Sequence, residues 1–219
     1  MRVLQSLTIA STCAVLALTG CTASATSEAV PTLVTPSSAP KPTPTIPVGP
    51  VELTDDEAAD LYLAIVCQRN IAMEALSDAV FAKEDEFLNG GTPAMTEIQA
   101  AAAEGLRIAR ASVELADDDY YTWPSDVAEH LKVVRDANLA ASSNLSEIAN
   151  ADRFEDAYYS TWPNQDTAAA AAQEIRYQLG LDADTTASCE GHETATDDAH
   201  KEMTERREYL ASFEDEDAD

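Results

Sequence analysis

The chain has 219 residues, of which 13 are lysine or arginine and 40 are aspartate or glutamate, so its formal net charge at pH 7 is -27. So strong a negative charge repels a phosphate backbone and an anionic membrane surface, which argues against nucleic acid as a partner. All but three of the charged residues lie beyond position 50, in a segment long enough to form one domain with a buried core.

Residues 1–20 have the pattern of a secretory signal peptide. One arginine precedes a modestly apolar run that is too short and too rich in glutamine, serine and threonine to cross a membrane as a permanent helix. The run ends in LTGC at residues 18–21, which resembles the lipobox of bacterial lipoproteins. The resemblance implies cleavage between Gly20 and Cys21 and a diacylglycerol thioether on Cys21, which would anchor the protein to the outer face of the cell membrane. The alternative is an unlipidated signal peptide cleaved after ASA at residues 23–25.

Residues 21–50 are expected to be the lipidated N-terminus followed by a disordered stalk. They are mostly proline, serine, threonine, alanine and valine, and they close with PKPTPTIPVGP. Proline fixes φ and removes backbone donors, so we expect an extended chain that reaches on the order of 90 Å. Lipobox and stalk together resemble those of surface lipoproteins of GC-rich Gram-positive bacteria, which implies contact with the membrane through the lipid only.

Residues 51–213 are expected to form an acidic all-α domain, an antiparallel bundle of four long helices with shorter pieces, and residues 214–219 an acidic tail. Thr54 and Glu57 have the spacing of a capping box, which predicts where the first helix begins. No glycine or proline follows until Gly90, so this helix is expected to run for about nine turns. It carries two apolar rows, which predicts that other segments cover it on two faces.

Apolar residues at spacings of three and four predict the later helices, and no stretch alternates with period two for long enough to predict a strand. Gly180 is expected at the C′ position that ends the fourth long helix. The elements expected after the first helix are a second long helix opening at Thr92-Pro93 and ending near Asp117, a third from Trp123-Pro124, a short piece from Phe154 to Tyr159, a fourth from Trp162-Pro163 to Leu179, and a weaker helix from Thr196 to Leu210.

A tyrosine and tryptophan motif occurs twice, as YYTWP at residues 120–124 and as YYSTWP at residues 158–163. In each copy a threonine precedes Trp-Pro, so Thr122 and Thr161 are expected to cap helices whose first turn contains the proline. The tryptophans would then pack the incoming chain against the core. The alternative is a ligand platform formed by Tyr120, Trp123, Tyr159 and Trp162.

The two cysteines of the domain, Cys67 and Cys189, are expected to form a disulfide. Exported domains with two distant thiols most simply pair them. A catalytic thiol is the alternative, but no CxxC motif and no convincing Cys-His pairing supports it.

Two segments have partial metal-site patterns. HETAT, from His192 to Thr196, lacks the second histidine of a zinc HExxH motif, and His130 and His200 are expected at the surface. The twelve residues from 182 resemble an EF-hand loop, although Ala187 and Cys189 replace its glycine and its aliphatic residue. No metal is therefore expected, and the weak calcium candidate would use the oxygens of Asp182, Asp184, Thr186, Glu190 and Glu193.

The sequence contains no GxSxG elbow, P-loop or dinucleotide motif, so we expect no catalysis and no cofactor. The favoured hypothesis is a non-catalytic interaction or structural module of the cell envelope, held at stalk length for a partner that the sequence does not identify. The alternative hypothesis is an extracytoplasmic module that binds a sugar, a cation or a small cationic ligand. Inward packing of Tyr120, Trp123, Tyr159 and Trp162 would favour the first hypothesis, and an open cleft lined by these four residues would favour the second.

Overall fold

The structure, a computed structural model, describes residues 43–214, with side chains as far as Phe213. The expected signal peptide, the cleavage site between Gly20 and Cys21, the lipidation of Cys21 and the stalk as far as residue 42 lie outside the described residues. The same holds for the acidic tail from residue 215.

The described chain is all-α, as predicted, apart from two strands of two residues each. None of its helices combines the length and the apolar composition that a membrane span requires. In chain order the elements are β1 (Val51–Glu52), α1 (Asp55–Phe81), α2 (Glu84–Leu88), α3 (Thr96–Ala116), β2 (Tyr121–Thr122), α4 (Ser125–Ala149), α5 (Phe154–Tyr158), α6 (Gln165–Gln178), α7 (Thr185–Cys189) and α8 (Ala195–Glu214).

Helix α1 begins at the predicted capping box but ends earlier than expected. The Thr54 side chain accepts a hydrogen bond from the Glu57 amide, and the Glu57 carboxylate accepts one from the Thr54 amide at 2.9 Å. The helix stops at Phe81 and the chain turns before α2, which brings Phe87 to a ring distance of 5.0 Å from Phe154. The prediction of a nine-turn helix is therefore wrong. The helix breaks after Phe81, and the change of direction lets Phe87 of α2 pack beside Phe154.

The predicted starts of the helices at the two Trp-Pro pairs are displaced. Helix α4 begins at Ser125, and its N-cap residue is Pro124, which makes no side-chain hydrogen bond. Thr122 lies two residues before this cap, in β2, and therefore does not cap the helix. Helix α6 begins at Gln165, after Asn164 at a φ of 63°, so Thr161 does not cap it either. The capping roles predicted for the two threonines are wrong.

The end of α6 agrees with the prediction for Gly180. This residue has a φ of 66°, and its amide donates to the Tyr177 carbonyl at 3.3 Å. The Leu181 amide donates to the Arg176 carbonyl at 2.8 Å, which completes a Schellman motif. Helix α6 has only 14 residues, whereas α8, expected to be the weaker helix, has 20.

Helix α3 lies between α1 and α4 and runs antiparallel to both. Along α1, the Ser112 hydroxyl donates to the Ile65 carbonyl at 2.8 Å, and at the other end Lys83 pairs with Glu97 at 3.4 Å. Along α4, the pairs are Asp117 with Arg135 at 3.0 Å and Gln99 with the Ala151 carbonyl at 2.9 Å.

Helix α8 covers α1 and α3. Near its start, the Thr196 hydroxyl donates to the Ala64 carbonyl and Asp197 accepts from Gln68 at 2.8 Å. Further along, Arg206 forms a buried ion pair with Asp118 at the end of α3.

Helix α3 packs on the first apolar row of α1, at Ile65, and α7 packs on the second, at Cys67, which forms the predicted disulfide with Cys189 at an S–S distance of 2.01 Å. Both cysteines are buried. The bond holds α7, a helix of only five residues, against the middle of α1. It thereby fixes one wall of the cleft described below.

The short strands β1 and β2 pair in parallel, with Val51 opposite Tyr121. The expectation that the chain has no strand is therefore wrong at these four residues. Nearby, the Tyr120 hydroxyl donates to the Pro47 carbonyl at 3.2 Å, and the Thr45 amide donates to the Tyr209 hydroxyl at 3.0 Å. The last residues of the expected stalk thus contact the domain, a long-range contact that no local pattern indicates.

Candidate functional site

The four aromatic residues of the repeated motif do not form one platform. Tyr120 and Trp123 precede α4, whereas the carbonyl of Thr161, next to Trp162, accepts a hydrogen bond from Asn144 near the other end of that helix. Ser125 and Asn144 are about 28 Å apart at 1.5 Å per residue. Trp123 and Trp162 accordingly pack against different clusters of the core, and the prediction of a shared ligand platform is wrong.

The first aromatic pair has a structural role. The guanidinium of Arg206 lies 4.2 Å from the centre of the Tyr120 ring and 4.9 Å from that of Tyr121. Because Tyr120 also binds Pro47, it joins the end of the stalk to α8. Trp123 packs against the core cluster that contains Tyr62, as expected for a tryptophan that holds the incoming chain.

The second aromatic pair is more open. Tyr159 is 66 % exposed and its ring lies edge-on to Phe87, with centroids 6.2 Å apart. Trp162 is half-buried and lines a cleft between α1, α4, α6 and α7, which is described below. Of the four proposed platform residues, only Trp162 belongs to this cleft.

Three of the five residues of the calcium candidate accept hydrogen bonds from nearby backbone amides. Asp184 caps α7, accepting from the Thr186 amide at 2.9 Å, and Asp182 accepts from the Asp184 amide at 2.9 Å. Glu193 accepts from the Gly191 amide at 3.1 Å, and Glu190 is exposed just after α7. Within residues 43–214, no three His, Cys, Asp or Glu side chains are close enough together to hold a metal ion. The geometry therefore gives the calcium hypothesis no support.

The histidines also lie apart from one another. His200 on α8 is 2.7 Å from the Glu114 carboxylate on α3, and His130 lies on α4. His192 follows α7, and its amide donates to the Cys189 carbonyl at 3.0 Å.

A cleft of about 730 Å³ opens between α1, α4, α6 and α7. We call it the α1/α6 cleft. Much of its wall is apolar, and three glutamates that are exposed to solvent line its outer part. The apolar part includes Val66, Met73, Ala141, Trp162, Ala168 and Ala172, and the glutamates are Glu74, Glu190 and Glu193.

Arg176 of α6 is the most deeply buried charged residue of this cleft, with 2 % of its surface exposed. Its Nη1 donates to the Asp182 carbonyl at 3.0 Å and to the Ser188 hydroxyl. The guanidinium carbon lies 5.9 Å from the centre of the Tyr62 ring. Its Nη2 is buried and has no hydrogen-bond partner within the described chain. The guanidinium is therefore held in place on one side and leaves a donor free on the other.

Asn138 and Arg69 also line this cleft, and each has one buried donor atom without a partner among residues 43–214. Asn138, on α4, is 2 % exposed, and its Nδ2 has no partner among residues 43–214. Arg69, on α1, has a buried Nε that is likewise unpartnered, and burial lowers the pKa of its guanidinium from the ordinary value. Burial also raises the pKa of Tyr62, whose hydroxyl donates to the Ala172 carbonyl at 3.3 Å.

The cleft therefore combines apolar walls with N–H donors that the protein leaves unpaired. A buried donor without a partner costs about 1–3 kcal/mol, so buried polar groups are nearly always hydrogen-bonded. Five buried side-chain nitrogens lack a partner in the described part of the chain, and the α1/α6 cleft contains three of them. The other two, on Trp123 and Arg206, lie outside it.

These three residues were not predicted from the sequence, although Arg69 and Asn138 interrupt predicted apolar rows. Asn138 occupies the helical position between Val134 and Ala141, and Arg69 follows Val66 at a spacing of three. Arg176 comes directly after the buried Ile175. Polar residues at core positions of otherwise apolar helix faces were the signal that could have located the cleft.

No protein-family model, curated protein or solved structure matches the chain. The α1/α6 cleft and its donors are thus the features from which a function is best inferred.

Proposed function

We propose that the protein is an extracytoplasmic lipoprotein whose helical domain binds a small organic ligand in the α1/α6 cleft. The carrying observation is that Arg69, Asn138 and Arg176 each leave a buried donor unpaired in one cleft. A ligand that brings hydrogen-bond acceptors would remove the cost of these donors. This favours the ligand-binding hypothesis over a purely structural module.

The dimensions of the cleft support the same proposal. Its volume of about 730 Å³ lies within the roughly 300–1,000 Å³ of small-molecule sites. Apolar walls with a few buried polar groups are typical of such sites, because the walls contribute affinity and the polar groups fix orientation. Trp162 supplies the aromatic surface of the cleft.

The proposed location rests on the lipobox-like LTGC at residues 18–21. Lipidation of Cys21 would give the chain more than one acyl group, and each buried methylene adds roughly 0.8 kcal/mol to membrane binding. Replacing Cys21 with alanine should release the protein into the medium. If the variant remains in the membrane fraction, the anchor is not the lipid on Cys21.

The two tryptophans allow a direct test of ligand binding. Trp162 lines the cleft and Trp123 does not, so the chain contains one reporter indole and one control indole. We expect members of a small-molecule library to shift the indole N–H resonance of Trp162 in the Cys21→Ala protein and to leave that of Trp123 in place. If no compound at millimolar concentration shifts Trp162, the cleft is not a small-molecule site.

A second candidate function is the docking of an envelope protein at the C-terminal end of α1. Phe81, Leu88 and Tyr159 are mostly exposed there, around α2 and α5. A photo-reactive group at position 88 should then cross-link a protein in intact cells, whereas one at Tyr177, which is more exposed still, should not. Equal labelling from both positions would contradict a specific docking surface.

A further inference from the structure

The charge of the unpaired donors indicates which class of ligand the cleft accepts. We infer, on the basis of the proposed function, that the α1/α6 cleft recognises an organic carboxylate, whose oxygens bind Arg69, Asn138 and Arg176. The net charge of the chain alone would favour a cationic ligand, but the buried groups of the cleft are cations and amide donors.

Arg176 differs from the other deeply buried arginine of the domain. Arg206 is 9 % exposed and forms an ion pair with Asp118, as expected for a buried charge. Neither Arg176 nor Arg69 lies within 4.0 Å of a carboxylate among the described side chains. In a chain with 40 acidic residues, the cleft thus keeps two guanidinium groups free of the carboxylates that the structure describes.

A carboxylate matches these donors in chemistry. It is an acceptor-only group with two oxygens and about four lone-pair sites, so it can bind several N–H groups at once. Bonds from guanidinium to carboxylate are charge-assisted and about twice as strong as bonds between neutral groups. The donors come from α1, α4 and α6, so a single carboxylate would join the three helices around the ligand.

The surroundings favour a single negative charge on an apolar body. Glu74, Glu190 and Glu193 line the outer part of the cleft, and the chain as a whole is strongly negative, so a doubly charged phosphate would be repelled more than a carboxylate. The apolar wall around Trp162 and Met73 provides a surface for the rest of the ligand. We therefore expect an aromatic or aliphatic monocarboxylate.

Matched probes of different charge test this inference. The probes are acid, amide and amine forms of one skeleton, such as phenylacetate, phenylacetamide and phenethylamine, with indole and straight-chain series beside them and phenyl phosphate as the dianion. Affinities are measured from the Trp162 indole resonance of the Cys21→Ala protein. The acids should bind about ten- to a hundredfold more tightly than their amides, because an amide lacks the negative charge that pairs with the guanidinium groups and has one acceptor oxygen instead of two.

Substitutions identify the donors. Arg69→Met keeps the apolar stem and removes the guanidinium, and since Arg69 makes no hydrogen bond or ion pair with the described residues, the variant should fold. It should bind the acids at least tenfold more weakly and should weaken the amides less, because only the acids lose an ion pair. Arg153→Gln, which changes a largely exposed arginine outside the cleft, is the matched control and should bind both as the wild type does. Circular dichroism of both variants verifies their fold.

The outcomes separate this inference from the proposed function. If amides or amines shift Trp162 at concentrations as low as the acids do, or if phenyl phosphate binds more tightly than phenylacetate, the carboxylate class is wrong while ligand binding stands. The same holds if Arg69→Met binds the acids as tightly as Arg153→Gln. If no probe of any charge shifts Trp162, the proposed function fails as well.

Discussion

Removal of the disulfide should cost the domain a large part of its stability. Cys67 and Cys189 are 122 residues apart in sequence, and in the chain-entropy model a loop of this length contributes about 4.9 kcal/mol at 25 °C. Part of this is lost where the unfolded chain retains structure, so for Cys67→Ala/Cys189→Ala we expect the free energy of unfolding to fall by about 3–5 kcal/mol.

Urea unfolding followed by circular dichroism measures the effect. With a denaturant slope of about 2 kcal/mol per molar urea for a domain of this size, the midpoint should fall by about 1.5–2.5 M. The slope itself should rise, because the chain without the cross-link exposes more surface when it unfolds. Wild-type protein treated with dithiothreitol is the control and should unfold at the same urea concentration as the double variant.

The same variant should bind ligands less well. Helix α7 contributes Cys189 and Ser188 to the surroundings of the cleft, and Ser188 holds the Arg176 guanidinium. Without the disulfide, this wall is free to move away from α1.

A double variant whose urea midpoint is unchanged would refute the stability argument. Reduced wild type that unfolds differently from the variant would show that the alanine substitutions act by another route.

Three further substitutions test other parts of the fold. Trp123→Ala should lower the free energy of unfolding by about 2–3 kcal/mol, because the indole packs on the core; unchanged thermal stability would favour a surface role instead. Asp118→Asn should cost about 3–5 kcal/mol in urea unfolding, because it leaves the Arg206 cation buried without a counter-charge, and a loss below 1 kcal/mol would contradict this. Arg107→Gln tests the pH dependence of the stability. A hydrogen bond from Arg107 holds the pKa of the Asp197 carboxyl below its usual 3.8. The stability that this hydrogen bond adds is therefore complete above about pH 3.8 and is lost as the pH falls further. The difference between wild type and Arg107→Gln should therefore shrink on acidification, and a difference that is constant from pH 7 to pH 2 would contradict the assignment.

The features that were predicted correctly are those that local chemistry determines. The capping box at Thr54 depends on residues three apart, and the stop at Gly180 depends on a positive φ that glycine adopts readily. The disulfide between Cys67 and Cys189 followed because the domain has no other cysteine. The rows of apolar residues located α3, α4 and α8 within about four residues at their ends, but they did not predict α2 and α7 as separate helices.

The features that were predicted wrongly depend on distant contacts. Thr122 does not cap α4, because its backbone pairs with β1, where the Leu53 amide donates to the Thr122 carbonyl at 3.0 Å. The Thr161 carbonyl accepts from Asn144, seventeen residues earlier in the chain. Similar short motifs thus acquired different roles, because different partners came to lie beside them.

The cleft could not be assembled from the sequence, because its donors come from three helices. Arg69, Asn138 and Arg176 are far apart along the chain and share no motif. Arg69 and Asn138 were visible only as polar residues in apolar rows, and a polar residue on a helix can also be satisfied by the protein, as Gln68 is by Asp197 on α8. Only the packing of the helices distinguishes a donor satisfied by the protein from one left for a ligand.

The most direct test of the central claim is a crystal structure of the protein with the carboxylic acid that shifts Trp162 at the lowest concentration. We predict that its carboxylate lies within about 3 Å of Arg176 Nη2 and Arg69 Nε, with its apolar part against Trp162. An acid bound elsewhere on the domain, or bound in the cleft with its carboxylate turned toward solvent, would contradict the account.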